Sequence, residues 1–132
     1  MSVFIDTSAF LALLDRDEVN HTAASAIWTR LLADDETLVA TNYVLVETYA
    51  LIQHRIGLDA VRTFTADFVP LLDMEWIGGD LHASAVSALL VASRRDLSLV
   101  DCVSFETMFL NTGVDAAAAT MDSSSDGTGY VH

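Results

Sequence analysis

The sequence predicts an α/β fold of three layers, a mainly parallel central sheet flanked by helices. Two observations lead there. Short apolar runs at residues 3–5, 37–40 and 74–77, with a weaker one at 116–120, alternate with longer stretches of helical periodicity. That alternation is the pattern of strands joined by helical crossovers. The first run stops abruptly at a carboxylate, Asp6, followed by the hydroxyls Thr7 and Ser8 and then a helical pattern. An acid at the carboxyl end of a strand lies in the crevice where open α/β sheets bind ligands.

Each element has its own warrant. Residues 8–14 are rich in Ala, Phe and Leu and read as a short buried helix. Asn20 or Thr22 can cap a second helix, whose Ala23, Ala26, Ile27 and Leu31 fall on one face. Residues 43–56 give the longest helical signal, apolar nearly all round, with Gly57 to close it. A helix over 59–71 ends near the only proline, Pro70. Gly78–Gly79 turns the chain into a helix over 80–95. Ser98 opens another to Leu110, with Asn111 and Gly113 as stop signals. Four alanines make 116–120 a poor strand. The stretch 123–132 is a polar, Gly-rich tail in which Tyr130–Val131 can pair briefly, and the 132 residues read as one domain.

Composition narrows the class. Hydrophobic residues make up 52% and charged residues 19%, a folded protein and not a disordered one. No apolar run approaches the roughly 18 residues of a membrane span, and no signal peptide is read. One cysteine, Cys102, excludes an internal disulfide and fits a reducing, cytoplasmic location. Four scattered histidines and one cysteine do not make a structural zinc site. The chain holds 19 acids, six arginines and no lysine, for a net charge of −13. A simple basic-surface nucleic-acid binder has the opposite balance. Either the acids are a solvated surface suited to a salt-rich cytoplasm, which is the favoured reading, or the partner is basic.

Four carboxylates sit in places that ask for a reason. Glu47 has Tyr43, Val44, Ala50 and Leu51 as its helical neighbours, and an ionised group there costs several kcal/mol without compensation. A pair with Arg55 or His54, or a tilt toward water, would compensate it. Asp101 sits third after Ser98 in a capping-box pattern. Asp6 can be an N-cap and Asp122 a turn residue. Asp126, four residues on, reads as a solvated loop acid. Their arrangement points further. Asp6 and Asp122 each follow a predicted strand, Asp101 opens a helix starting at the same sheet edge, and Glu47 rides the helix after the second strand. Carboxylates that converge without lysine repel one another, and hard divalent cations relieve that repulsion. Oxygen ligands suit Mg²⁺ or Mn²⁺. Such a site activates water for attack on a phosphodiester. Phosphoacceptor signalling domains and haloacid-dehalogenase phosphatases also put acids at strand ends, but they use a lysine that this chain lacks.

Four blocks carry a resemblance: Phe4-Ile5-Asp6-Thr7-Ser8-Ala9, Thr41-Asn42-Tyr43-Val44-Leu45-Val46-Glu47-Thr48, Leu97-Ser98-Leu99-Val100-Asp101-Cys102-Val103-Ser104-Phe105 and Ala119-Thr120-Met121-Asp122. In order and spacing they resemble PIN-domain ribonucleases of the VapC toxin type over essentially the whole chain. The resemblance implies a parallel sheet with an acidic pocket for Mg²⁺ or Mn²⁺. Asp6, Glu47 and Asp101 match its core acids and Asp122 its less regular fourth. Thr7 or Ser8 and Ser104 match hydroxyls that line the pocket. It also implies RNA as substrate, a cognate antitoxin and a homodimer. One departure stands out: the family follows its fourth acid with a basic or polar residue and then an aromatic one, where this chain reads Ser123-Ser124-Ser125-Asp126-Gly127. Asp126 is a candidate substitute. Arg94 and Arg95 are the obvious phosphate contacts, or else cations placed at a helix C-terminus by its dipole. The alternatives are a PIN fold weakened in catalysis that only docks a partner, and an RNA-processing nuclease with no antitoxin.

Overall fold

A computed structural model describes residues 2–110 and the backbone of Val114–Asp115. Four strands, β1 (Ser2–Phe4), β2 (Thr37–Thr41), β3 (Leu72–Glu75) and β4 (Val114–Asp115), form one sheet in the order β3-β2-β1-β4. Every pairing is parallel. Six helices flank it: α1 (Thr7–Leu14), α2 (His21–Ala33), α3 (Asn42–Arg55), α4 (Leu58–Thr63), α5 (Gly79–Ala92) and α6 (Leu99–Leu110). The expected fold class holds.

The core follows from the central strands. Val3, Phe4 and Ile5 of the first run and Leu38, Val39 and Ala40 of β2 are all buried, as continuous apolar runs in a covered parallel sheet should be. α1 lies on α2 and α3. Phe10 of α1 meets the Phe64 ring edge-on at 5.0 Å, and Tyr49 meets Phe64 at 5.2 Å. Trp28 lies 5.4 Å from Phe68. A second, small cluster of Ala85, Cys102 and Val103 joins α5 to α6.

Several boundaries differ from expectation. The buried face of α2 is Ala24, Trp28 and Leu31 with Ile27 at its margin, while Ala23 and Ala26 are exposed. The indole of Trp28 outweighs two alanine methyls and turns the helix by about one position. α3 is not apolar all round, since Val46, Gln53, His54 and Arg55 face solvent. Residues 59–71 are not one helix. α4 stops at Thr63, the turn widens over Phe64–Phe68 and then tightens over Val69–Leu71. The wide turn seats Phe64 fully inside the core, and Pro70 has no N–H to continue a helix. β3 begins at Leu72, not at residue 74, because Leu38 to Thr41 pair with Leu72 to Glu75. α5 ends at Ala92, three residues early, where Ser93 adopts the left-handed conformation (φ 51°) and donates its N–H to Leu89 O. Gly57 closes α3 as expected, at φ 128°. The strand expected at 116–120 and the tail 123–132 lie outside the described residues.

Candidate functional site

Of the helices that begin at the carboxyl edge of the sheet, three carry the candidate acids. α1 follows β1 directly and α3 follows β2 directly. α6 leads into β4, which runs parallel to β1, so α6 starts at that same edge. Each start is capped by a side chain: Asp6 for α1, Thr41 for α3 and Ser98 for α6. Converging helix N-termini carry partial positive charge, which makes this edge a favourable place for carboxylates.

Asp6 is 5% exposed, and its Oδ1 accepts the Thr7 N–H at 2.8 Å. The N-cap reading of Asp6 is therefore realised at a buried position. Thr7 beside it is buried, and its Oγ1 donates to Val44 O at 3.4 Å. Thr48 Oγ1 lies 2.7 Å from Val44 O and 3.2 Å from Thr7 Oγ1. These hydroxyls tie the start of α1 to the first turns of α3. Ser8 is exposed, so Thr7 is the hydroxyl that faces inward.

Glu47 is half-buried in the second turn of α3. Neither Arg55 nor His54 pairs with it, and both face solvent. It lines a cleft of about 310 Å³ with Asn42, Tyr43, Val46 and Val100, and that cleft is its route to water. Val100 belongs to the first turn of α6, next to Asp101. Asp101 and Ser98 form the full capping box: Ser98 Oγ accepts the Asp101 N–H at 3.0 Å, and Asp101 Oδ2 accepts the Ser98 N–H at 3.1 Å. A carboxylate offers about four lone-pair directions, so this cap and a metal contact are compatible. One turn on, Ser104 is fully buried and its Oγ has no hydrogen-bond partner among the described residues. A buried hydroxyl left without any partner costs about 1–3 kcal/mol, so Ser104 Oγ calls for a partner outside the described residues.

The structure thus brings Glu47 to the start of α6 and ties α1 to α3. Among the described residues it does not gather three His, Cys, Asp or Glu side chains closely enough to hold an ion. Asp122 and Asp126 lie outside the described residues. Arg94 and Arg95 do not sit in the last turn of a helix, as the dipole reading required, because α5 has already ended. Arg94 instead donates to Asp96, from Nε at 3.3 Å and from Nη2 at 3.0 Å, and holds that carboxyl below the usual carboxylate range. Burial, then the charges of Asp101 and Glu106, push the Cys102 thiol up, so it stays protonated at neutral pH and is no nucleophile.

The family model for the PIN domain matches residues 3–123. This chain belongs to the PIN-domain family. PIN domains are nucleases acting on phosphodiester bonds, and they generally use divalent metal ions. The chain is 29% identical over 107 residues to the 23S rRNA-specific endonuclease VapC20 of two Mycobacterium tuberculosis strains, covering 80% of this chain and 79% of each relative. The crystal structure of M. tuberculosis VapC20, described as a sarcin–ricin loop cleaving toxin, superposes with a TM-score of 0.71 at 28% identity, over 86% of this chain and 85% of that one.

Sequence reasoning on this PIN domain overlooked Thr48, Asn42 and the pair Tyr43–His82. Thr48 had a readable signal, a hydroxyl one helical turn from Val44 on a buried face. Asn42 Oδ1 accepts the Ile77 N–H at 2.7 Å, and Tyr43 Oη bonds His82 Nδ1 across 39 residues of chain. Neither long-range contact has a local signature. Among the described residues no helix is long and apolar enough to cross a membrane.

Proposed function

We propose that this chain is a metal-dependent endoribonuclease, the toxin of a type II toxin–antitoxin pair, and that it cuts structured RNA of the kind its relatives cut. The observation that carries the reading is Asp6: a buried carboxylate at the carboxyl end of a central strand, in a chain of a nuclease family. The donor set is oxygen throughout, carboxylates and hydroxyls, which fits Mg²⁺ or Mn²⁺ and not a soft metal. Asp6, Glu47 and Asp101 would hold the ion, with Asp122 or Asp126 as a fourth acid. The bound ion supplies a water of lowered pKa for attack on phosphorus. Glu47, which reaches water through its cleft, orients that water. Thr7, Thr48 and the Asp6 cap fix α1 against α3, so the Asp6 carboxylate cannot swing away. Ser104 Oγ, buried and without a partner among the described residues, would offer a hydrogen bond to the site's water. Arg94 and Arg95, in the connection that leads into the α6 N-terminus, would contact the RNA backbone. An antitoxin that brings basic side chains to this acidic edge would silence the enzyme, and two copies would pair as a homodimer in the cytoplasm.

Replacing Asp6 by Asn tests this. Asn caps a helix as well as Asp does, so the fold survives. Cleavage of RNA in Mg²⁺ should fall by more than the roughly 100-fold that losing even an outer partner of a metal ligand can cost. Wild-type cleavage by Asp6→Asn would remove the site. A second reading, a PIN fold that binds without cutting, is favoured by the absence of a three-acid group among the described residues. Titrating Mg²⁺ or Mn²⁺ into the protein and then assaying cleavage separates the two.

A further inference from the structure

The cleft beside Glu47 has a lining that the chemistry at phosphorus does not need. Apart from Glu47 and Asn42 it is made of Tyr43, Val46 and Val100, and its surface is almost entirely apolar. Val46 is 69% exposed, an apolar β-branched side chain left in water on a helix whose other valine, Val44, is fully buried. Tyr43 is held, not loose. Its hydroxyl bonds His82 Nδ1, and its ring lies 5.9 Å from the His82 ring at 45°. It also packs against the small cluster that joins α5 to α6. Asn42 spends its amide oxygen on Ile77 N, so its NH₂ group is the donor that remains on a residue lining the cleft. A volume of about 310 Å³ lies at the low end for ligand pockets, roughly 300–1,000 Å³, and suits one planar group.

Charge sharpens this. The chain has only six arginines with which to meet an RNA backbone, against a net charge of −13, and Arg62 and Arg94 are already engaged by Asp59 and Asp96. Phosphate contacts, the usual main source of nucleic-acid affinity, are scarce here. Stacking on an aromatic ring does not depend on cations, and sequence-specific RNA recognition targets unstacked bases in loops. We infer that the Tyr43–Val46–Val100 cleft is a nucleobase subsite: it takes one base flanking the scissile phosphodiester, which packs on Tyr43 and Val46 and accepts a hydrogen bond from Asn42. His82 is a positioning residue that fixes the phenol. The inference rests on the endoribonuclease reading above and adds to it where the base goes.

The test is a double-mutant cycle against a hairpin RNA carrying the sarcin–ricin loop, bound in Mg²⁺ by the non-cutting Asp6→Asn chain. One loop nucleotide at a time is made abasic. Adding Tyr43→Ala should weaken binding roughly 5- to 150-fold, the range for loss of one base–aromatic stack. Tyr43→Phe, which keeps the ring but loses the bond to His82, should fall between the parent and Tyr43→Ala. At one loop position the abasic penalty should vanish in the Tyr43→Ala background, since a contact cannot be lost twice. Val46→Ser, at an exposed site that does not threaten the fold, should reduce the penalty at that same position. Abasic penalties that stay unchanged at every position in both variants would overturn the subsite, even if Tyr43→Ala bound less tightly, while leaving the nuclease standing. A hairpin neither cut by the unsubstituted chain nor bound by Asp6→Asn would count against the nuclease reading and take the subsite with it.

Discussion

Asp6 and Asp101 are both capping acids, yet the molecule holds them in different ways. Around Asp6 the packing is deep. Phe4, Ile5 and Phe10 are fully buried, Thr7 and Thr48 bridge α1 to α3, and the ring cluster about Phe64 lies behind. The α5–α6 hairpin that carries Asp101 is joined by the small Ala85, Cys102 and Val103 cluster, leans on the main core only through the half-buried Val100, Phe105 and Met108, and shows water Leu90 (71% exposed), Val91 (86%) and Phe109 (84%). In the first region an acid is positioned by the core of the domain. In the second it is positioned locally, by the serine three residues before it. One side of the site is thus set in the deepest part of the core, and the other rests on it through half-buried side chains.

The largest expected effect tests the deep side. Phe64→Ala should cost about 3–5 kcal/mol, the usual loss for a buried aromatic ring. Leu90→Ser on the hairpin should stay within about 0.5 kcal/mol of the parent. Urea unfolding of the two variants measures both. Losses of similar size would mean that the hairpin is part of the same cooperative core.

The next effect separates cap from chemistry at Asp101. Ser98→Ala removes one bond of the capping box and should cost about 1 kcal/mol of stability while leaving cleavage largely intact. Asp101→Asn keeps an acceptor for the Ser98 N–H, so its stability loss should be smaller, but its cleavage should collapse. Thermal melts beside an RNA cleavage assay read the two quantities apart. Equal and slight cleavage losses would make Asp101 a cap and nothing more.

What was legible in the sequence divides along similar lines. The strand ending at Asp6, the helix closed by Gly57 and the Ser98–Asp101 capping box are local patterns, and local patterns can be read. The broken helix over 59–71 could not be, because the widened turn exists to bring Phe64 between Phe10 and Tyr49, residues distant in sequence. The face of α2 was misread by one position because alanines were counted equally with Trp28. For the site, residue type announced the acids. The compensation at Glu47 did not come from the nearby Arg55 or His54 but from a cleft made with α6, which no spacing within α3 reveals.

The smallest expected effect lies in the connection between α5 and α6. Arg94 holds the Asp96 carboxyl below its usual value, chiefly by the hydrogen bond between them. In the unfolded chain that carboxyl takes up its proton first as the pH falls. Its contribution is therefore present above the ordinary carboxylate range and is lost as the pH falls through the lowered value. Both side chains are exposed, so the contribution is slight and falls with salt. An NMR titration of the Asp96 carboxyl, with Arg94→Gln as the control, should show a lowered midpoint that the substitution restores. An ordinary midpoint in the unsubstituted chain would mean that the pair does not persist in solution. The link between Arg94 and Asp96 would then contribute nothing to the connection that leads into α6.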